Sequence, residues 1–308
     1  MMTSPTKPWD VLAVGGVNID YYLTVPWLPS HDEKVSAHFQ GRFPGGPAAN
    51  FACAASRLGL SVAAVATVGI DQDGDIVKAD FQRFGVDVSL LSLKADYQTP
   101  FTIIMIDGSG ERAIVVPDFS EQYAMDVLFN ALPQTRSLYM MPVMFTDFLH
   151  LAMRARELGV EVMVDIEANH QLTSAQFDQV LQHVTIASFN QNGFRRFTGA
   201  EPTLEAARNL LSKSLHTIVI SMGKDGSLAT TGDENAQCSA YSVPVVDTTG
   251  AGDAFNAGFL TCTFMGMKLD DRLRFANAVA ALKIQHPGTR GHLPDLHEVR
   301  TWIDNNKN

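Results

Sequence analysis

The chain has 308 residues, is 46% hydrophobic and carries a formal net charge of −10. Its length and apolar content suffice for a large core, in one α/β domain or two smaller ones. The acidic balance excludes the broad basic face that a nucleic acid or an anionic membrane surface requires, and leaves only local basic clusters to meet a phosphorylated ligand.

In chain order, VLAVGG from Val11 is a short apolar run stopped by glycines, the pattern of a strand covered on both faces. A mixed stretch follows from Asn18 to Phe43, with Pro26, Pro29, Asp32, Glu33 and Lys34. GGPAANFACAASRLG reads as a helix, with Pro47 in its first turn and Gly59 as its stop. VAAVATVG reads as another buried strand, and DGDIVKADFQRFG as an amphipathic helix whose apolar points are Ile76, Phe81 and Phe84. FTIIMIDGSGERAIVVP is two apolar runs around a turn, as expected of an antiparallel hairpin. Strand and helix patterns then alternate through SLYMMPV, FTDFLHLAMRARELG, VEVMVDI, VTIASFN and HTIVISMG. This alternation predicts a doubly wound, mainly parallel sheet. SAYSVPVV reads as a strand, AFNAGFLTCTFMG as the helix after it, and LDDRLRFANAVAALKIQ and LPDLHEVRTWI as closing helices.

Cys53, Cys238 and Cys262 lie far apart without the paired spacing of a zinc site or disulfide frame, as expected in a reducing compartment. No segment approaches the ~18 uninterrupted apolar residues of a membrane span. MMTSPTKPWD has prolines where a signal peptide needs its apolar stretch. It reads as a loose tail on a cytoplasmic protein. The Asn18–Phe43 stretch and the 100–117 hairpin break the alternation. They are either ordinary surface excursions or the parts of a small separate sheet, a lid.

DTTGAGDAF places Gly250, Ala251 and Gly252 directly ahead of Asp253 at the mouth of a helix. A helix N-terminus exposes unpaired N–H groups, and glycines let several of them converge on an anion. A fixed carboxylate would repel that anion. Asp253 therefore either caps the helix, or stands ready to take a proton from a hydroxyl that attacks a transferring phosphoryl group. The spacing matches neither a P-loop nor a dinucleotide fingerprint.

DTTGAGDAF resembles the C-terminal motif of the ribokinase-like (PfkB) carbohydrate kinases, and GGPAANFACAASRLG resembles their N-terminal motif. The likeness runs in order over nearly the whole chain, through VNID after the first strand and ISMGKDG. It implies one ribokinase-like domain over residues 1–308, a doubly wound sheet with a small β-sheet lid from segments near 18–43 and 98–118. It also implies ATP- and Mg²⁺-dependent phosphorylation of a small sugar, and a homodimer formed through the lid. Asp253 would be the general base, and the Gly250, Ala251 and Gly252 backbone would stabilise the phosphoryl charge. Asn18, Asp20, Gly46 and Asn50 would contact the sugar. Asn190, Ser221, Gly223, Lys224, Gly226 and Asn277 would line the nucleotide, although Lys224 reads equally as a solvated turn residue. Asp247, with backbone carbonyls at Thr249 and near Gly288, resembles a loop that holds a monovalent cation, K⁺, in some members.

Two positions depart from the family pattern. Where the family usually carries Asn-x-x-Glu, with a glutamate that organises Mg²⁺, this chain has Asn190-Gln191-Asn192-Gly193. Glu167 or Asp165, at the end of VMVDIE, is expected to supply the missing carboxylate. Pro47 stands where ribose-specific members carry lysine, which points to another furanose-like or modified sugar. Nucleosides are the alternative acceptor, with Tyr21, Tyr22, Trp27 and Phe101 available for stacking, and a non-catalytic sugar or nucleotide sensor is the alternative from another class. Met140, Met141 and Met144 are expected to pack beneath the sugar. Arg112 and Lys34 either meet an acidic substituent or stay solvated.

Overall fold

The computed structural model describes residues 7–119 and 124–306, so the start of the expected tail lies outside the described residues. Order begins slightly earlier than the apolar run suggests. The first strand is Trp9–Val14, and Asp10 holds the neighbouring segment by accepting from the Ser61 backbone and hydroxyl at 3.0 and 2.9 Å.

Eight strands form the main sheet. From one edge the order is Val62–Val65, Trp9–Val14, Thr135–Met140, Glu161–Ile166, Ile186–Asn190, Thr217–Ser221, Ser227–Thr231 and Asn235–Cys238. All neighbours up to Thr217–Ser221 pair in parallel, and the last two strands are added antiparallel. Parallel strands buried on both faces need apolar residues at every position. In the first strand Val11 and Ala13 join one apolar layer and Leu12 and Val14 join the other. Helices Pro47–Arg57, Gln72–Arg83, Ala251–Phe264 and Leu269–Lys283 supply the first layer, and Phe145–Glu157 and Ser174–His183 the second.

The two stretches that broke the alternation meet in a separate four-stranded sheet. Its order is His38–Gly45, Asn18–Thr24, Phe101–Ile106 and Arg112–Val115. Asn18–Thr24 runs antiparallel to His38–Gly45 and parallel to Phe101–Ile106, so that Ile19 pairs with Phe101, 82 positions away in sequence. This sheet carries Asn18 and Asp20 to the C-terminal edge of the main one.

Two expected strands differ. VAAVATVG is cut at Ala66. Val62–Val65 stays in the main sheet, while Thr67–Gly69 turns away to pair with Ser92–Lys94. A continuous apolar run cannot reveal such a change of partner, because both halves are buried. SAYSVPVV is not a strand. Residues 239–246 are irregular, with Val245 and Val246 exposed, and Asn235–Cys238 already forms the antiparallel edge. Pro244 also lacks the donor a further strand would need.

Candidate active site

The acceptor side starts from the helix Pro47–Arg57. Its N-cap is Gly46 at φ 96°, with Pro47 in the first turn. An added Cβ at Gly46 would meet the Gly16 carbonyl at 2.5 Å and Asn18 Oδ1 at 3.2 Å, so only glycine lets the two sheets approach here. Asn50, one turn in and buried, donates from Nδ2 to Asp253 Oδ2 at 2.9 Å. Its Oδ1 accepts from Arg290 Nε at 2.9 Å. Arg290 also donates to the Gly45 carbonyl at 2.9 Å and forms a buried ion pair with Asp80. On the small sheet, Asn18 donates to Asp20 Oδ1 at 2.6 Å and to Thr102 Oγ1 at 3.1 Å. Asn18, Asp20, Gly46, Asn50 and Asp253 are thus brought together from three distant segments. Arg290, Asp80 and Thr102, which the motifs do not mark, complete the set.

Asp253 lies in the first turn of the helix Ala251–Phe264 and is 8% exposed. Burial above all pushes its carboxyl up from 3.8 to about 7. The Asn50 hydrogen bond and the Arg290 and Lys283 cations pull it down, while the Glu167 carboxylate adds to the rise. Burial likewise raises Asp20, against the Asn18 hydrogen bond and the charge of Arg290. The helix N-cap is Gly250, left-handed at φ 79°, and no side chain caps this end. Asp253 therefore does not serve as the cap. Gly252 is exposed, and a Cβ added there would touch nothing within 4 Å. The Ala251 N–H donates to the Thr248 carbonyl at 3.1 Å, which leaves the Gly252 end of the corner exposed beside the raised Asp253 carboxyl.

The model of the pfkB family carbohydrate kinases matches residues 9–296. The chain belongs to that family. Like its relatives it is an ATP-dependent kinase. It is 26% identical over 301 residues to a ribokinase of Haemophilus influenzae, covering 94% of this chain and 97% of that one. It is 27% identical over 301 residues to a nucleoside kinase of Methanothermobacter thermautotrophicus, covering 94% of both. The solved structure of a putative E. coli ribokinase II in complex with ATP and Mg²⁺ shares the fold, with a TM-score of 0.84 at 20% identity over 97% of this chain and 100% of that one.

In this pfkB kinase the residues expected to line the nucleotide sit on and beside the strands Ile186–Asn190, Thr217–Ser221 and Ser227–Thr231. Ser221 ends a strand beside Asn190, its register partner. The Asn190 side chain caps the helix Gln191–Thr198 by accepting from the Gly193 N–H at 2.7 Å. Gly223–Asp225 is a short 3₁₀ turn, exposed throughout, with the Lys224 side chain in solvent. Gly226 is tight, since an added Cβ would lie 2.1 Å from the Cys238 carbonyl. Asn277 is buried and donates to the Cys238 and Ser239 carbonyls at 3.2 Å each, while its Oδ1 accepts from Ser227 at 3.0 Å. These bonds brace the wall.

The position of the usual family glutamate cannot hold any side chain here. A Cβ on Gly193 would lie 2.4 Å from the Ile166 carbonyl and 3.2 Å from the Glu167 carbonyl carbon. The turn bearing Glu167 occupies that space, fixed by a Glu167 N–H to His170 Nδ1 bond of 3.1 Å and by an Arg196 bond to the Ala168 carbonyl. Asp165 is buried beneath it and accepts from Tyr139 Oη at 3.1 Å, and Tyr139 stacks on Phe51 with centroids 3.5 Å apart. Burial raises Asp165 well above the carboxylate range, and Glu167 and Asp253 add to it through space. Burial raises Glu167 too. Among the described residues no three His, Cys, Asp or Glu side chains form a metal cage. Mg²⁺ in kinases keeps its waters and binds through phosphates and one or two carboxylates, so Glu167 fits such an ion without a cage.

Proposed function

We propose that this kinase transfers the γ-phosphoryl group of ATP to a hydroxyl of a small carbohydrate held between Asn18, Asp20, Asn50 and Asp253. The observation that carries the reading is the Asn50–Asp253 bond beside the uncapped Gly250–Gly252 corner. Asn50 holds Oδ2, so Oδ1 is the oxygen that takes the acceptor's proton as the hydroxyl attacks. A base with a pKa near the working pH is effective in that role. The N–H groups of the corner receive the charge that grows on the phosphoryl oxygens. Gly223, Lys224 and Gly226 flank the nucleotide, with Asn190, Ser221 and Asn277 as the supports of that wall. Mg²⁺, when bound, neutralises phosphate charge, and Glu167 is the side chain that would orient its waters. Asp165, committed to Tyr139, supports the floor. The small sheet closes over the sugar and excludes water.

A cavity of about 670 Å³ adjoins the sugar site, between Asn18, Gly46, Phe101, Thr102, Val116 and Met144. It is more apolar than a bare pentose needs and favours a second reading, a sugar that carries an aromatic base. Pro47 lines it too, which supports an acceptor other than free ribose. Of the three methionines expected beneath the sugar, Met144 lines this cavity, while Met140 and Met141 are buried. Exposed Phe39, Ile114, Val115 and Val116 on the small sheet support pairing of two copies there. The three free cysteines favour a cytoplasmic setting, and among the described residues no helix is long and apolar enough to cross a membrane.

The test is ADP release against a panel of pentoses, hexoses, modified furanoses and nucleosides with Mg·ATP. Turnover with a bare sugar is expected from the first reading, and turnover confined to nucleosides selects the second. Stabilisation by sugars with no turnover on any acceptor overturns both.

A further inference from the structure

Lys283 enters the reading above only as a nearby charge on Asp253. It is the last residue of the helix Leu269–Lys283, at the end of the apolar run AVAALK, and its side chain is fully buried. A buried ammonium needs polar partners in place of water. Here the partner is a backbone oxygen, because Nζ donates to the Asp247 carbonyl at 2.9 Å.

The surrounding backbone is clasped. The N–H groups of Val246 and Asp247 donate to the Ile284 carbonyl at 2.8 and 3.1 Å. Asp247 Oδ2 accepts from the Gly288 N–H at 2.8 Å, and Oδ1 accepts from the Thr249 N–H and hydroxyl at 2.9 and 2.7 Å. Gly250 then begins the anion corner and packs on the Thr289 backbone. This is the loop that resembles a monovalent-cation site. Of the oxygens this loop offers an ion, the Asp247 carbonyl is engaged by an ammonium and the Asp247 carboxylate by two N–H groups and the Thr249 hydroxyl. The loop does not fit a K⁺ ion while Lys283 is in place.

We propose that the Lys283 ammonium is a built-in cation that does the work of a monovalent metal ion at the base of the anion corner, so that this kinase needs no K⁺. The inference rests on the reading of Gly250–Gly252 as the corner that receives the phosphoryl charge. A tethered charge there satisfies the loop carbonyl and fixes the chain that leads into the corner. It also adds positive potential beneath the site where negative charge grows. Unlike a bound ion, it is present at full occupancy whatever the ionic composition.

Two readouts test this, one of them independent of substrate. The unliganded wild-type protein and Lys283→Ala are melted in KCl and in tetramethylammonium chloride at equal ionic strength, and ADP release is measured in the same salts with the best acceptor. The wild type is expected to melt and turn over alike in both. Lys283→Ala, which opens space for an ion, is expected to melt higher in KCl, because a ligand that binds only the folded state stabilises it. It should also regain about tenfold in rate in KCl. A variant that folds only in KCl supports the proposal equally. A wild type that requires K⁺ overturns it. So does a folded variant whose melting and rate ignore K⁺, since the lysine then serves only as packing or touches phosphate directly. If no acceptor is ever phosphorylated, the kinase reading fails while the melting comparison still decides the role of Lys283.

Discussion

On the acceptor side of the cleft Asn50 reaches Asp253, Arg290 reaches Asn50 and Asp80 pairs with Arg290, all buried. On the nucleotide side Gly223, Lys224 and Asp225 stand in solvent, and Asn190 and Asn277 spend their amides holding backbone. The contrast follows from what each side handles. In the proposed function a hydroxyl loses a proton there, and the carboxyl that would accept it is buried and tied in place. A polyphosphate arrives charged and hydrated, so exposed backbone and loop shape suit it better than buried side chains.

The contrast is most directly broken at Asp253. Asp253→Asn keeps the shape and removes the base, and is expected to lower kcat by about 10²–10⁴ with little change in the KM for ATP. In the wild type, kcat/KM should fall as pH drops below about 7, where the carboxyl takes up its proton. Because the folded protein binds that proton more tightly than the unfolded chain, this group favours folding below pH 3.8, and the contribution is lost as pH rises through about 7. Asp253→Asn should therefore be more stable than the wild type to denaturant at pH 8, by up to about 4 kcal/mol, and the gap should close toward pH 4. A variant as fast as the wild type, or less stable at pH 8, contradicts the assignment.

Arg290→Met tests whether the acceptor side stands as one unit. It leaves Asp80 buried with only the exposed Arg83 for company and frees Asn50 Oδ1. Breaking a buried pair in this way costs about 3–5 kcal/mol, measured by denaturant unfolding. A loss below about 1 kcal/mol would show that the network is incidental. The smallest expected effect is that of Glu167→Gln, which sharpens the comparison at the boundary between the two sides. The Mg²⁺ concentration for half-maximal rate should rise about tenfold, and an unchanged Mg²⁺ titration rejects Glu167 in that role.

Much of this was legible in the sequence because the glycine corner, the Asn-bearing helix and the strand alternation are local patterns. The small sheet was half legible, since two segments broke the alternation but nothing local says that Asn18–Thr24 pairs with Phe101–Ile106. Arg290 and Asp80 were not, because a buried ion pair 210 residues apart leaves no spacing to read. Lys283 carried a faint signal, a lysine closing an apolar helix run, that chain position alone cannot separate from a solvated end. SAYSVPVV has strand composition yet remains irregular, with Pro244 in its middle and Asn235–Cys238 already closing the sheet, and its Val245 and Val246 line an open cavity beside Asp247.

Gly193 also constrains how this sequence can drift. With the Ile166 carbonyl 2.4 Å from where its Cβ would stand, any change to glutamate collides with main chain before the new carboxylate can serve. The turn bearing Glu167 would have to be rebuilt first, and that rebuilding displaces the carboxylate proposed for the metal. A glutamate at position 193 is therefore closed to a single change, and on the proposed reading the acid stays with the Glu167 turn.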